Sequence, residues 1–230
     1  MHAIFEKDGI VYKILRSTFG TDKDTNKFNF EASMLDFLSR YGIPTASVIR
    51  IYGPGELIPN YAVLAEKKIL GYIYTSEELT VKRVSKIQSV LRTTHKISLD
   101  FFGPISSPDL QVKTWHEYIN YLFEKAYLIQ KIVKITADIQ KIEQYFINQY
   151  KYDDSAKFLI LDPNEKNYIF DKNDDLAGVI DIDHPIAFDP LYDAASFLYS
   201  RPKTFYLMQK AKVVDIKNMK TIKNYTICDV

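Results

Sequence analysis

The sequence has very little cysteine and glycine and no long apolar run. Its 230 residues include one cysteine, Cys228, and eight glycines. A single cysteine excludes an intrachain disulfide, so nothing in the composition indicates an oxidising compartment. No apolar run approaches the roughly 18 residues of a membrane-spanning helix, and the first residues lack the apolar core of a signal peptide. We therefore expect a cytoplasmic protein that does not bind a membrane.

A net charge of one sign is also lacking. The 30 basic and 29 acidic residues leave a net charge of +1, which excludes a general attraction to nucleic acid. The balance differs locally, because residues 151–200 carry 11 acidic side chains against four lysines, and residues 201–230 carry seven basic side chains against two acidic ones. The acidic segment predicts a cation site, with a solvated surface as the alternative. The basic segment leaves nucleic-acid binding as a minor alternative.

The apolar pattern changes character near residue 70. Before it, the pattern predicts a hairpin over residues 1–15, a helix over 29–41 and strands over 46–52 and 61–66. After it, the pattern predicts helices over 77–95, 114–133 and 136–150, short strands over 158–161, 167–170 and 178–182, and a helix from about residue 189. We predict an α+β protein of two lobes, a small antiparallel lobe over residues 1–70 and a larger helical lobe over residues 71–230.

The predicted hairpin around residue 173 brings polar side chains together. Asn167 begins its first strand and Asp181 ends its second, so both lie at the open end of the hairpin. Asp162 precedes Asn167 by a short loop and can fold back over that end. Carboxylate and carboxamide oxygens are hard ligands of the kind that Mg²⁺ prefers. Kinases build their catalytic loop and metal site from the same order of Asp, Asn, hairpin and Asp.

Two charged residues of the N-terminal lobe stand in apolar surroundings. Lys13 interrupts an apolar strand, and Glu31 falls on the apolar arc of the predicted helix, in line with Leu35 and Leu38. A buried charge is costly unless it is paired, so an ion pair between Lys13 and Glu31 accounts for both residues. In the alternative, Lys13 protects an edge strand and Glu31 interacts with the positive end of its helix.

Two runs of residues resemble the signature of the aminoglycoside phosphotransferase and choline kinase-like family: GVIDID at 178–183 and FDPLYDAA at 188–195. Lys13 followed by Glu31, and His95 shortly before Phe102-Gly103-Pro104, resemble the family in the same order. The resemblance implies a protein-kinase-like fold, with a small antiparallel sheet and one helix in the N-terminal lobe and a mainly helical C-terminal lobe. It also implies a phosphotransferase that moves the γ-phosphoryl group of ATP or GTP to an alcohol group of a small molecule.

The resemblance assigns roles to residues of both lobes. It implies that Asp162 is the catalytic carboxylate facing the acceptor hydroxyl, and that Asn167 and Asp181 bind Mg²⁺. The same resemblance implies the nucleotide contacts. Lys13 would hold the α- and β-phosphates and be positioned by Glu31, and the strand end that includes Glu66 and Lys68 would meet the base.

Some features of the family are absent from this sequence. Ile160 and Leu161 stand where the family has His-Gly before the catalytic Asp, no glycine-rich phosphate loop occurs, and Met1 is expected to stand at the family's second strand. These differences leave open a second hypothesis, an inactive pseudokinase that serves as a nucleotide- or partner-binding module. The acidic segment would suit an acceptor that contains an amine or amino sugar.

Overall fold

The computed structural model describes residues 3–14, 25–132, 138–162, 164–210 and 218–228. The strands are β1 (Ala3–Lys7), β2 (Ile10–Ile14), β3 (Val48–Tyr52), β4 (Val63–Lys67), β5 (Ser98–Leu99), β6 (Gly103–Pro104), β7 (Ala156–Leu159), β8 (Tyr168–Phe170), β9 (Leu176–Val179) and β10 (Ile186–Phe188). The helices are α1 (Asn26–Arg40), α2 (Val81–Thr94), α3 (Trp115–Ile132), α4 (Ile139–Asn148), α5 (Leu191–Ser200), α6 (Pro202–Lys210) and α7 (Met219–Cys228). The predicted α+β class is confirmed.

The chain divides into two compact units. The first consists of residues 1–74 and 165–183, and the second of residues 75–164 and 184–230. The hairpin of β8 and β9 therefore groups with the N-terminal residues and not with the helical lobe in which its sequence position predicts it. The lobe boundary at residue 70 stays a prediction.

The first unit is built on an antiparallel sheet with the strand order β1-β2-β4-β3. Asp8 and Gly9 connect β1 to β2 with φ angles of 52° and 75°, the left-handed pair that matches the twist of a two-residue hairpin. One face of the sheet is covered by α1, whose Phe28 packs with Ala62 and Leu64 in a buried cluster. The helix ends before Gly42, which adopts a φ of 77°. This sheet and helix agree with the predicted β-β-α-β-β order, although Met1 and Leu15 lie outside the described residues.

The second unit is mainly helical. The predicted helices are observed as α2, α3, α4 and α5. Helix α2 is shorter than the predicted 77–95, α5 begins two residues after the predicted start, and positions 133 and 136, at two predicted ends, are not among the described residues. Helix α5 packs against α6 and α7, and α2 packs against α6. Short strands in the order β5-β7-β10-β6 form a small sheet beside them. None of the described helices is both long and apolar enough to cross a membrane.

Candidate functional site

Lys13 is buried on β2 between two carboxylates of the first unit. In the pairing of β2 with β4, Lys13 lies opposite Leu64 and Val11 lies opposite Glu66, so Lys13 and Glu66 share one face of the sheet. The Nζ atom of Lys13 donates to Oε1 of Glu31 at 2.5 Å and lies 3.2 Å from Oε2 of Glu66. All three residues are at most 3% exposed. The ion pair predicted between Lys13 and Glu31 is present, and Glu66 completes it.

Helix α1 holds Glu31 against the sheet. Glu31 lies on the buried face of α1 with Phe28, Leu35 and Leu38, at spacings that place these residues in one line along a helix. The edge-strand alternative for Lys13 is wrong, because β2 lies between β1 and β4. The alternative for Glu31 is also wrong, because this residue follows the first turn of α1 and is fully buried.

The electrostatics of this cluster favour additional positive charge. Burial lowers the pKa of Lys13, but the carboxylates of Glu31 and Glu66 outweigh that effect and raise the pKa above its ordinary value. Burial raises the pKa of Glu31 to about 7, although the charge of Lys13 opposes the rise. Burial raises the pKa of Glu66 in the same way. Asp181 adds its negative charge to the surroundings of all three groups.

Several carboxylate oxygens of the cluster are buried without a hydrogen-bond donor among the described residues: Oε2 of Glu31, Oε1 of Glu66 and Oδ1 of Asp181. Buried anionic oxygens normally have partners, because an unpartnered one loses its hydration without compensation. Within the described ranges, no group of three His, Cys, Asp or Glu side chains could hold a metal ion. A metal here would therefore need a further kind of ligand, such as a carboxamide.

The hairpin of the first unit supplies a carboxamide next to a carboxylate. Asn167 immediately precedes β8, and Asp181 follows the end of β9 by two residues. The N–H of Ile180 donates to the carbonyl oxygen of Asn167 at 3.0 Å, which holds the two ends of the hairpin together. Asp181 has a φ of 63°, an uncommon conformation outside glycine. A buried carboxamide and a carboxylate with an unpartnered oxygen fit the ligand preferences of Mg²⁺. Their assignment as metal ligands stays a prediction.

Asp162 lies in the second unit, in the loop that follows β7. Its Oδ1 accepts from the N–H of Asn164 at 3.1 Å. The preceding residue, Leu161, has a φ of 55° and donates its N–H to Oδ1 of Asp193 at 3.1 Å. The other carboxylate oxygen of Asp193 lies 2.8 Å from Nε2 of His95. The loop that carries Asp162 is thus anchored to α5 and to the end of α2, and the catalytic role of Asp162 stays a prediction.

The segment after β4 is already hydrogen-bonded to its neighbours. The N–H of Lys67 donates to the carbonyl oxygen of Ser47 at 2.8 Å, and the N–H of Lys68 donates to that of Gly9 at 2.9 Å. The ammonium group of Lys68 lies 3.1 Å from Glu6. The structure therefore directs Glu66 towards Lys13 and Lys68 towards β1. Their contact with a nucleotide base stays a prediction.

The partners that hold these residues in place are not apparent from the sequence. The resemblance implies a contact of Glu66 with the base and none with Lys13, and it implies no role for Asp193 although that residue lies in the FDPLYDAA run. The sequence does contain one sign that Glu66 has a charged partner: it is an acidic residue near the end of a mostly apolar strand. For the left-handed conformation of Leu161, the glycine that the resemblance implies at this position was the available signal. The bond from the Leu161 N–H to Asp193 has no signal in the sequence.

Comparison with known proteins identifies solved structures that have a similar fold. No protein-family model matches the chain. No curated protein matches it by sequence. A solved structure of a thermostable mutant of aminoglycoside phosphotransferase APH(4)-Ia, in ternary complex with AMP-PNP and hygromycin B, matches with a TM-score of 0.69 at 16% identity, over 98% of this chain and 78% of that chain. The GDP complex of aminoglycoside 2'-phosphotransferase-IIIa matches with a TM-score of 0.67 at 14% identity, over 99% and 78%.

The chain has the fold of the aminoglycoside phosphotransferases. This result confirms the fold that the resemblance implied, with an antiparallel sheet and one helix in the N-terminal region and a helical region after it. At these identities the similarity to aminoglycoside phosphotransferases concerns the fold alone.

Proposed function

We propose that this chain is a phosphotransferase that moves the γ-phosphoryl group of ATP or GTP to a hydroxyl group of a small molecule. The observation that carries the proposal is the buried Lys13, fixed by Glu31 and Glu66 beside carboxylate oxygens that have no donor among the described residues. Phosphoryl transfer depends on positioned charges around the nucleotide phosphates, and a lysine held by a helix carboxylate is one of its recurring parts. A purely structural ion pair would leave no reason for the unpartnered oxygens.

Each of the predicted site residues would have its own role in phosphoryl transfer. Lys13 would donate to oxygens of the α- and β-phosphates while Glu31 and Glu66 hold its ammonium group in place. Asn167 and Asp181 would hold Mg²⁺, which neutralises charge on the phosphate oxygens. Asp162 would orient the acceptor hydroxyl and accept its proton.

The acceptor would be a small molecule that carries amine or sugar groups. The two solved structures with this fold described above are aminoglycoside phosphotransferases, one of them in complex with hygromycin B. The excess of acidic side chains over residues 151–200 would favour a positively charged acceptor of that kind.

The second candidate is a pseudokinase that binds nucleotide or a partner without turnover. Ile160 and Leu161 favour it, because they replace the His-Gly pair that the resemblance implies before Asp162. Leu161 also adopts a φ of 55°, a conformation that glycine reaches at lower cost.

Nucleotide binding is tested by thermal unfolding with ATP or GTP, each with and without Mg²⁺. A ligand that binds the native state raises the melting temperature, so wild type should show a Mg²⁺-dependent rise. Asp181→Asn should lose that rise and remain folded, because a neutral amide replaces an anionic ligand. Asp174→Asn in the turn of the same hairpin is the matched control and should keep it. An unchanged rise in Asp181→Asn would show that the metal assignment is wrong.

Turnover separates the two candidates. Asp162→Asn should leave nucleotide affinity within a few-fold of wild type and lower phosphoryl transfer, or background nucleotide hydrolysis, by about two to four orders of magnitude. Asp153→Asn, an exposed carboxylate earlier in the same segment, is the control. If wild type shows no more turnover than Asp162→Asn across a panel of amines, sugars and alcohols, the pseudokinase takes the place of the enzyme.

A further inference from the structure

A cavity of about 240 Å³ lies within the second unit, beside α2, α5 and α6. Its walls are largely apolar and include Leu91, Leu191, Phe197 and Met208. Sites for drug-sized ligands measure about 300–1,000 Å³, so an occupant of this cavity would be compact. None of the residues predicted to bind nucleotide or metal lines it, and Asp162 does not line it either.

Arg92 supplies positive charge at the cavity wall. It lies in the last turn of α2. When the carboxamide of Gln88 is oriented with its oxygen towards Arg92, that oxygen accepts from Nη2 at 2.7 Å and from Nε at 2.9 Å. In the described part of the chain Arg92 has no carboxylate partner. A guanidinium has more N–H donors than Gln88 uses, so Arg92 is both held in place and able to bind an anion.

The start of α5 brings two carboxylates near this wall. Pro190, Leu191 and Ala194 line the cavity. The positive end of the α5 dipole is met by the buried carboxylate of Asp189, whose Oδ1 accepts from the N–H of Leu191 at 2.9 Å. Among the described lining residues the acidic one is Asp193, whose two oxygens face the Leu161 N–H and the His95 ring. Within the described residues the cavity therefore combines an apolar body with the guanidinium of Arg92, whose charge has no carboxylate partner there.

We propose that this cavity is a binding site for a compact organic acid, an aryl or branched alkyl carboxylate. Its carboxylate would bind to the guanidinium of Arg92, and its apolar body would pack against Leu91, Phe197 and Met208. His95 and Asp193 also line the cavity, and Asp193 accepts from the N–H of Leu161. Binding of the acid would therefore stabilise the loop that carries Asp162, because Asp193 contacts both the cavity and that loop.

The binding test uses benzoate, benzamide and benzylamine, which share one ring and differ in charge. Calorimetric titration should show that wild type binds benzoate about tenfold or more tightly than benzamide, with benzylamine weakest, because a charge-assisted hydrogen bond exceeds a neutral one. In Arg92→Gln the affinity for benzoate should fall to nearly the affinity for benzamide. Arg83→Gln, on the same helix but outside the cavity, is the matched control and should leave the preference unchanged.

A second variant tests the location independently of charge. Ala194→Leu fills the cavity from α5 with a good helix former, so it should abolish benzoate binding without lowering the melting temperature of the free protein. The proposal is overturned by equal binding of benzoate and benzamide, by a preference that survives Arg92→Gln, or by binding that Ala194→Leu leaves intact. An absence of binding for all three probes at millimolar concentration also overturns it.

Hydrogen exchange tests the connection to the loop. Benzoate should slow exchange of the Leu161 amide in wild type and have no such effect in Arg92→Gln. Unchanged exchange at Leu161 with benzoate bound would overturn the transmission to the loop. These measurements need neither nucleotide nor turnover, so a failure of the proposed kinase activity would leave them unaffected.

Discussion

Each unit of the molecule buries carboxylates, but the two units treat them differently. In the second unit, Asp189 is 1% exposed and both of its oxygens are satisfied. The hydroxyl groups of Tyr150 and Tyr225 donate to Oδ2 at 2.6 and 2.7 Å, and the N–H of Leu191 donates to Oδ1 at 2.9 Å. Trp115 in turn donates to the hydroxyl of Tyr225 at 3.1 Å. Asp189 therefore joins α3, α5 and α7 through neutral donors.

In the first unit, Glu31 and Glu66 are buried as completely, yet each keeps an oxygen without a donor among the described residues. Their partner is a charged lysine, and the negative charge of Asp181 reaches the same group. A carboxylate whose donors are all present stabilises the fold, whereas one with an unpartnered buried oxygen reduces stability until a ligand arrives. Both kinds of carboxylate are buried, so burial does not tell them apart. The number of hydrogen-bond donors does: a carboxylate that serves the fold has all of them, and one that serves ligand binding lacks some.

The largest expected difference between the two clusters comes from neutralising one acid in each. Asp189→Asn removes the charge and one acceptor oxygen from a carboxylate that three donors share, so it should lower the free energy of unfolding by about 3 kcal/mol. Glu66→Gln should change it by less than about 1 kcal/mol, because it removes a negative charge from a cluster with an excess of them. Denaturant unfolding of both variants without nucleotide measures the difference. Similar losses in the two variants would contradict the distinction.

The pH dependence of stability sharpens the same comparison. Burial raises the pKa of Glu31 from 4.5 to about 7, so between these values the folded state binds more protons than the unfolded state. The contribution of Glu31 is therefore fully present below about pH 4.5 and is lost as the pH rises through about 7. Lys13, Glu66 and Asp181 surround Glu31, and the raised pKa values of Glu66 and of Asp189 act in the same direction.

The measurement is the free energy of unfolding of wild type and of Glu31→Gln across this pH range. Wild type should lose more stability than Glu31→Gln as the pH rises, because the variant has no proton to release at this position. Glu66 and Asp189 remain in both proteins, so the difference between the two curves isolates Glu31. Parallel curves would show that Glu31 keeps an ordinary pKa.

The ion pair in the first unit could be predicted because each partner is an anomaly in its own local pattern. Lys13 interrupts an apolar strand and Glu31 interrupts an apolar helix face, so the sequence shows two unsatisfied charges. Glu66 could not be joined to them in this way. Its position beside Lys13 depends on the register of β4 against β2, strands separated by a helix and another strand, and that register is a tertiary property.

The loop of Asp162 shows the opposite limit. Two short apolar runs joined by a polar turn predicted a hairpin between Asn167 and Asp181, which the structure contains as β8 and β9. Leucine rarely adopts the left-handed backbone seen at Leu161, so the one sign of it was the glycine that the resemblance implies here. The bond that the Leu161 N–H donates to Asp193, 32 residues away, could not be predicted, because it depends on tertiary packing.

The smallest expected effect concerns Leu161. Its N–H donates to Asp193, a carboxylate that, like Asp189, has a partner for each of its oxygens. Leu161→Gly and Leu161→Ala both remove the leucine side chain beyond Cβ. The difference between their free energies of unfolding therefore reports mainly the cost of the left-handed backbone. Alanine in the left-handed region costs about 1–2 kcal/mol, while glycine loses about 0.5–1 kcal/mol more through the entropy of the unfolded chain. The glycine variant should therefore be more stable than the alanine variant by roughly 0.5–1 kcal/mol, the reverse of their order at an ordinary position. Denaturant unfolding of the pair provides the measurement. A more stable alanine variant would mean that Leu161 does not hold a φ near 55° in solution, and that Asp193 does not fix the loop before Asp162 in the way the structure shows.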